Sequence, residues 1–224
     1  MAWKAVDMAQ YPRRAHFAYF SAMQYPYVGV TQETDVTELL AACRARQRSF
    51  YLSFLHAAAL AADGVPELRW RIRAGGIVEY DECPTSHIEL LEDETYCYCT
   101  LRHHMPLEEY YPYAEEARRQ CRQRASIEED AEVESLYFIS TLPWLHYSAL
   151  IQPVAGGEES NPRITWGQYR QDGAGRVSLP VTLLAHHALV DGVHIAAFYD
   201  ALEAEMNRFA KERGEEWEKR DAGV

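Results

Sequence analysis

The stretch Leu179-Pro180-Val181-Thr182-Leu183-Leu184-Ala185-His186-His187-Ala188-Leu189-Val190-Asp191-Gly192 runs from an apolar strand, through two adjacent histidines, to the start of a helix. Adjacent residues of a strand point to opposite faces, so one imidazole can face a site while the other packs inward. An imidazole titrates near neutral pH and suits a general base acting on a hydroxyl or thiol. Gly192 lets the backbone turn closely behind Asp191. The stretch therefore predicts a strand, a tight turn with a reactive histidine, and a helix.

A metal site in the same turn is the alternative interpretation. Histidine and aspartate are zinc ligands, and His186, His187 and Asp191 could supply three of them. Adjacent histidines rarely converge on one ion, so we predict that the chain holds no metal. A second pair, His103-His104, lacks the following Asp-Gly and is interpreted as a solvated strand end.

The rest of the chain mixes helical and strand periodicities. Predicted helices cover Phe50 to Ala62, Pro106 to Arg124 and Val193 to Arg213. Predicted strands cover Leu68 to Arg73, Ile77 to Tyr80, Tyr96 to Leu101, Leu136 to Ser140, Tyr147 to Val154, Arg163 to Arg170 and Val177 to Ala185. Frequent hairpins predict an α/β (α+β) fold, a two-layer sandwich with a mixed β-sheet and helices packed on one face. Residues 1–224 are expected to form a single domain, with a charged tail over 211–224 that frays.

Composition excludes several classes of protein. The 224 residues carry 34 acidic and 22 basic side chains, a formal net charge of −12, which disfavours binding to nucleic acid. No apolar run reaches the length of a membrane helix, and the N-terminus lacks the apolar stretch of a signal peptide. Five cysteines without a CxxC pair are typical of reduced thiols. A cytoplasmic protein is therefore expected.

Other segments give the chain a family resemblance. Near the N-terminus stands Arg13-Arg14-Ala15-His16-Phe17, and in the middle stands Ile139-Ser140-Thr141-Leu142-Pro143-Trp144. Pro162-Arg163-Ile164-Thr165, with Tyr169 behind it, precedes the histidine stretch. In order and spacing, from about Tyr11 to Met206, these segments resemble the chloramphenicol acetyltransferase family of coenzyme A-dependent acyltransferases. The resemblance covers nearly the whole chain and implies that family's fold.

The resemblance implies roles for five residues. His187 would be the general base that removes the proton from an acceptor hydroxyl, which then attacks the thioester of acetyl-CoA. Ser140 would stabilise the oxyanion, and Thr165 would hold a water molecule near the same intermediate. Asp191 would pair with Arg13 and fix the turn that presents His187.

The resemblance also implies which residues line the binding sites and how the subunits assemble. Trp144 would lie along the coenzyme A channel and Tyr169 near the adenine. Members of the family are homotrimers with each active site between two subunits. Phe20, Tyr98 and Phe138 would shape the pocket for a small-molecule acceptor, and they depart from the family's usual residues there.

Because of these departures, the resemblance does not fix the identity of the acceptor. The expected acceptor is chloramphenicol, whose acetylation inactivates the antibiotic. The alternatives are an acetyltransferase of the same fold acting on another small alcohol or amine, and a trimeric binding protein without catalysis. A 2-oxo acid dehydrogenase core is disfavoured because the sequence has no lipoyl domain or flexible linker.

Overall fold

The structure is a computed structural model that describes residues 2–129 and 131–211. The α-helices among them are α1 (Arg14–Ser21), α2 (Thr37–Ala45), α3 (Phe50–Asp63), α4 (Leu107–Arg124) and α5 (Gly192–Lys211). The β-strands are β1 (Trp3–Ala5), β2 (Tyr27–Asp35), β3 (Trp70–Arg73), β4 (Gly76–Tyr80), β5 (Thr85–Leu90), β6 (Tyr96–Leu101), β7 (Tyr137–Leu142), β8 (Arg163–Gly167), β9 (Arg170–Gln171) and β10 (Val177–His186). Except for Lys211, the predicted frayed tail lies outside the described residues.

One large sheet organises the fold. Its strands run in the order β2-β10-β8-β7-β5-β6, and the short β9 pairs with β10. The pairs β7–β8 and β5–β7 are parallel, whereas β2–β10, β8–β10 and β5–β6 are antiparallel. A separate three-stranded sheet has the order β1-β4-β3. The predicted mixed sheet is confirmed.

The helices cover one face of the large sheet, as the sequence predicts. Helix α3 is almost entirely apolar, and the side chain of Ser49 caps its first turn by accepting a hydrogen bond from the Leu52 N–H at 3.3 Å. Phe54 of α3 packs against Trp166 of β8, with ring centroids 4.9 Å apart. On α5, the Tyr199 hydroxyl donates to the carbonyl of Val181 at 2.8 Å. These contacts fix the helices over the central strands.

The opposite face of the sheet is largely uncovered by helices. On β5, the residues alternate between buried ones such as His87 and exposed ones such as Ile88 and Leu90. The open face also carries Ser140, which lies opposite Thr165 in the β7–β8 register. Ser140 and Thr165 therefore lie on the face away from the helices.

The strand predicted over Tyr147 to Val154 is wrong. Residues 143–162 form an irregular segment that crosses the open face of the sheet. Its Tyr147 hydroxyl donates to the backbone carbonyl of Thr165 at 2.8 Å. A Cβ at Gly167 would lie only 2.5 Å from the carbonyl oxygen of Leu145, so the segment passes directly against β8. The segment packs on the sheet instead of extending it.

The interpretation of His103-His104 as a solvated strand end holds for His104, which is exposed, and is wrong for His103. His103 is buried, and the Nε2 atoms of both histidines lie within hydrogen-bond distance of the Asp63 carboxylate at the end of α3. A sequence pattern cannot bring these positions together, because forty residues separate them along the chain. Among residues 2–129 and 131–211, no helix has the length and apolarity to cross a membrane.

Candidate active site

His187 stands in the turn between β10 and α5. Its backbone N–H donates to the carbonyl of Pro26 at 2.7 Å, and its Nδ1 lies 2.9 Å from the carbonyl of Val190. A carbonyl only accepts, so Nδ1 carries a proton and Nε2 is the nitrogen left to act as a base. The ring of Phe20 stacks on the imidazole, with centroids 3.9 Å apart and an interplanar angle of 19°. These contacts hold the imidazole in one orientation.

His186 faces the other way, as the strand alternation predicts. It is buried, its Nε2 donates to the carbonyl of Gly157 at 2.9 Å, and its Nδ1 accepts from the Ala188 N–H at 3.2 Å. Burial lowers its pKa, so it stays neutral. His186 thus joins the turn to the segment over residues 143–162.

Asp191 and Arg13 form the ion pair that the resemblance implies. One guanidinium nitrogen lies 3.2 Å from Asp191 Oδ2, and the other donates to the carbonyl of Leu189 at 2.9 Å. The Gly192 N–H donates to Asp191 Oδ1, and this bond, followed by the Arg13 charge, lowers the pKa of Asp191. Arg13 therefore bonds to the turn at two positions, the Leu189 carbonyl and the Asp191 carboxylate, and makes a single contact with that carboxylate.

His194 also holds the turn, and the sequence analysis missed it. Its Nδ1 accepts from the backbone N–H of Asp191 at 3.0 Å, while its Nε2 faces Glu67 Oε1 at 3.6 Å. Burial lowers the pKa of His194 and favours the neutral ring that can accept this bond. The available signal was its position three residues after Asp191, in the first turn of α5.

Ser140 and Thr165 lie side by side on the open face. Thr165 is opposite Ser140 on β7 and opposite Thr182 on β10. The Thr165 hydroxyl donates to Gln152 Oε1 at 3.1 Å, whereas Gln152 Nε2 is buried without a hydrogen-bond partner among the described residues. Gln152, an unpredicted site residue, therefore presents two N–H donors beside Thr165. Sequence offered no signal for it, because it lies in the irregular segment.

Two cavities meet at Ser140. The first, called here the tryptophan cavity, has a volume of about 830 Å³ and is lined by Trp144, Tyr169, Phe50 and Thr141 among others. The second, called the tyrosine cavity, has a volume of about 730 Å³. Its lining includes Tyr96, Tyr98, Phe138, Gln152 and Ile127. Ser140 lines both cavities, as do Ile88 and Tyr96, so the two cavities adjoin at these residues.

Each cavity has a charged wall. In the tryptophan cavity, burial alone would raise the pKa of Glu89, but hydrogen bonds from His87 and Arg118 lower it to about 2. In the tyrosine cavity, Glu129 accepts from the Ser86 hydroxyl at 2.6 Å.

The tyrosine cavity also contains a paired charge. Arg163 forms an ion pair with Glu159, and its guanidinium carbon lies 5.1 Å from the centroid of the Phe138 ring. The cavity is therefore aromatic with polar positions, and is not purely apolar.

His187 lines neither cavity among the described parts of the chain. Thr182, which pairs with Thr165, precedes His187 by five residues, or about 15 Å along an extended strand. A general base must lie within about 3 Å of its proton. Within one chain, the structure thus separates His187 and Phe20 from Ser140, Thr165, Tyr98 and Phe138.

Comparison with known proteins identifies a family to which the chain is similar. The family model described as chloramphenicol acetyltransferase matches residues 1–203. A chloramphenicol acetyltransferase of Klebsiella sp. is 24% identical over 204 residues, covering 90% of this chain and 92% of the relative. Chloramphenicol acetyltransferase 2 of Escherichia coli is 24% identical over 214 residues, covering 94% and 100%.

Solved structures share the fold. A chloramphenicol acetyltransferase superposes with a TM-score of 0.79 at 22% identity, over 92% of this chain and 100% of that one. The dihydrolipoamide acetyltransferase of Azotobacter vinelandii gives a TM-score of 0.64 at 17% identity, over 89% of this chain and 87% of that one. These similarities concern the backbone fold. The two cavities that adjoin at Ser140 are the feature that relates this fold to a reaction.

Proposed function

This chain belongs to the chloramphenicol acetyltransferase family and is an acyltransferase that uses acetyl-CoA, and from that premise we propose that it moves the acetyl group to a hydroxyl of chloramphenicol, with His187 as general base. The observation that carries the proposal is the meeting of two cavities at Ser140. Acetyl-CoA would enter through the tryptophan cavity, along Trp144 and Tyr169. The acceptor would occupy the tyrosine cavity, against Tyr98 and Phe138.

The proposed reaction is a direct transfer. His187 Nε2 removes the acceptor hydroxyl proton as the oxygen bonds to the thioester carbonyl carbon, and the carbonyl electrons move onto its oxygen. The Ser140 hydroxyl donates a hydrogen bond to this oxyanion. When the carbon–sulfur bond breaks, the thiolate of coenzyme A takes the proton from the His187 imidazolium. Thr165, whose own proton is engaged by Gln152, would accept from a water near the intermediate.

The proposal includes a homotrimer with shared sites. The separation of about 15 Å along β10 makes His187 and Ser140 of one chain unsuited to act together. We therefore assign to each site His187 with Phe20 from one subunit and Ser140, Thr165 and the tyrosine cavity from its neighbour. Apolar side chains exposed outside both cavities, such as Leu145 and Ile151, the latter 94% exposed, favour burial against a second copy.

A cytoplasmic location is part of the proposal. All five cysteines are free thiols, and reduced cysteines are typical of proteins in that compartment. Chloramphenicol reaches such an enzyme inside the cell, so acetylation there would confer resistance.

A second acceptor class is favoured by one observation. The tyrosine cavity holds Glu129, hydrogen-bonded by Ser86, together with the Glu159–Arg163 pair. The Glu129 carboxylate would suit an acceptor that carries a protonated amine, whereas chloramphenicol is uncharged. The same reaction on another small alcohol or amine is therefore the second candidate.

The deciding experiment follows thiol release from acetyl-CoA by the purified protein. Rapid release with chloramphenicol supports the proposed function. Release that requires other alcohols or amines supports the second candidate. No thiol release with any acceptor, while coenzyme A still binds, would identify a binding protein without catalysis. That result would contradict both candidate functions.

Replacing Asp191 by asparagine is expected to lower kcat by about tenfold or more, because the turn that presents His187 loses its ion pair with Arg13. The pair is partly exposed, so the melting temperature should fall by only a few degrees. Steady-state kinetics and thermal unfolding measure the two effects. In a double-mutant cycle, Asp191→Asn and Arg13→Lys should be strongly non-additive. Simple additivity, or an unchanged rate and melting temperature, would refute the pairing.

A further inference from the structure

A group of side chains that could ligate a metal lies where α3 and β6 end, outside both cavities. Asp63 is the last residue of α3, and His103 and His104 follow β6. The Nε2 atoms of the two histidines lie 2.8 and 2.6 Å from the same oxygen, Asp63 Oδ2. The potential ligand atoms of these three residues are all within 4.8 Å of one another. Neighbouring histidines thus converge here on one point.

The surrounding structure holds the three residues in place. Asp63 Oδ1 accepts from the Tyr137 hydroxyl at 2.7 Å, and the Asp63 backbone carbonyl accepts from Arg69 Nε at 3.1 Å. The backbone carbonyl of His103 accepts from His56 Nε2 at 3.1 Å. Such outer contacts orient metal ligands in proteins and maintain their geometry.

Burial makes the group closed on one side and open on the other. The side chains of Asp63 and His103 are 7% and 2% exposed, whereas that of His104 is 46% exposed. A cavity of about 430 Å³, lined by His56, His104 and Met105 among others, opens beside them. A carboxylate and two imidazoles with access to solvent match a site with three protein ligands and one water.

We propose that Asp63, His103 and His104 bind a divalent transition-metal ion of the zinc class, with water in the fourth position. Zinc bonds of about 2.0–2.2 Å in a tetrahedral site separate ligand atoms by roughly 3.4 Å. The two Nε2 atoms must therefore move away from Asp63 Oδ2 by about 0.7 Å. The exposed His104 side chain can rotate outward to do so.

The buried His103 sets the expected strength of binding. When its Nε2 ligates the ion, its proton must lie on Nδ1, which is buried and has no hydrogen-bond partner within residues 2–129 and 131–211. Leaving that N–H unsatisfied weakens binding by about ten- to a hundredfold. We therefore expect a dissociation constant on the order of 10 µM, weaker than that of structural zinc sites. A bound ion joins the end of α3 to the end of β6.

The test uses the full chain without a histidine tag, stripped of metal by a chelator and titrated with zinc sulfate in a calorimeter. One ion should bind per chain, and at a hundredfold excess over the dissociation constant the melting temperature should rise by about 5 °C. Cobalt(II) should give the visible absorption of a tetrahedral complex.

His104→Ala should weaken zinc binding by at least about tenfold and reduce the thermal shift to about half or less, since an exposed ligand is lost without damage to the core. Asp63→Asn should do the same if it folds. His16→Ala, a control at an exposed histidine on α1, should bind like the unaltered chain. Acetyl transfer by His104→Ala without metal should be unchanged. The absence of saturable binding below about 1 mM zinc, or wild-type binding by His104→Ala, would overturn the proposal.

Discussion

Replacement of His187 by alanine is expected to reduce kcat by about 10²–10⁴-fold, the contribution typical of a positioned general base. The imidazole is held by Val190, Pro26 and the stacked ring of Phe20, so Nε2 is fixed before any substrate binds. Alanine removes the proton acceptor and leaves both cavities intact. The rate of thiol release at saturating substrate measures the loss.

Two controls make this result specific. Coenzyme A should bind His187→Ala with an unchanged dissociation constant, which separates lost chemistry from lost binding. His146→Ala removes a histidine bonded to the Gln168 carbonyl, away from the turn, and should reduce kcat far less. Turnover of His187→Ala near the wild-type rate would show that another group is the base.

Replacement of Ser140 by alanine is expected to lower kcat by about 10²–10³-fold, because one donor to the oxyanion is lost. The Michaelis constants should change little, since the hydrogen bond forms only in the transition state. A matched control is Ser178→Ala on β10, whose hydroxyl bonds Glu33 and lies outside both cavities. An effect of Ser140→Ala confined to the Michaelis constants would argue for a binding role instead.

Mixing the two inactive variants tests the shared site. If each site takes His187 from one subunit and Ser140 from its neighbour, a trimer containing both variants holds some sites with both native residues. Random assembly of equal amounts should restore about a quarter of the wild-type rate, because each residue is native with a probability of about one half. No recovery after dissociation and reassembly would show that one chain supplies both residues.

The parts of the fold fixed by local pattern were predictable from sequence. Helix α3 is almost entirely apolar and the β3–β4 hairpin alternates around Gly75 and Gly76, so each of these elements lies within a residue or two of its predicted position. The mixed sheet followed from the frequency of hairpins. The family resemblance was confirmed as well, because its motifs are spread along most of the chain.

What sequence missed depends on contacts between distant positions. The segment over residues 143–162 has strand-like composition, but Tyr147 bonds to Thr165 and the segment packs across the sheet. The sequence predicts that His103 and His104 are both at the surface, but His103 is buried and both bond to Asp63, forty residues away in the chain. Gln152 and His194 acquire their places only from the packing around Thr165 and Asp191. That His187 and Ser140 act together across subunits is implied by the resemblance alone and stays a prediction, because no local pattern indicates it.

Different strands of the large sheet carry the proposed catalytic residues and much of the lining of the acceptor cavity. Ser140 and Thr165 lie on β7 and β8, and the turn that carries His187 leaves β10, so the proposed chemistry is held by the middle of the sheet. The tyrosine cavity shares β7 and β8 with the site, but it is also lined by the outer strands β5 and β6 and by Ile127, Glu129 and Val133. Substitutions on those outer strands can remodel the acceptor wall while every backbone bond around Ser140 stays in register. Natural selection can therefore change which molecules this protein acetylates without interrupting the reaction by which it does so.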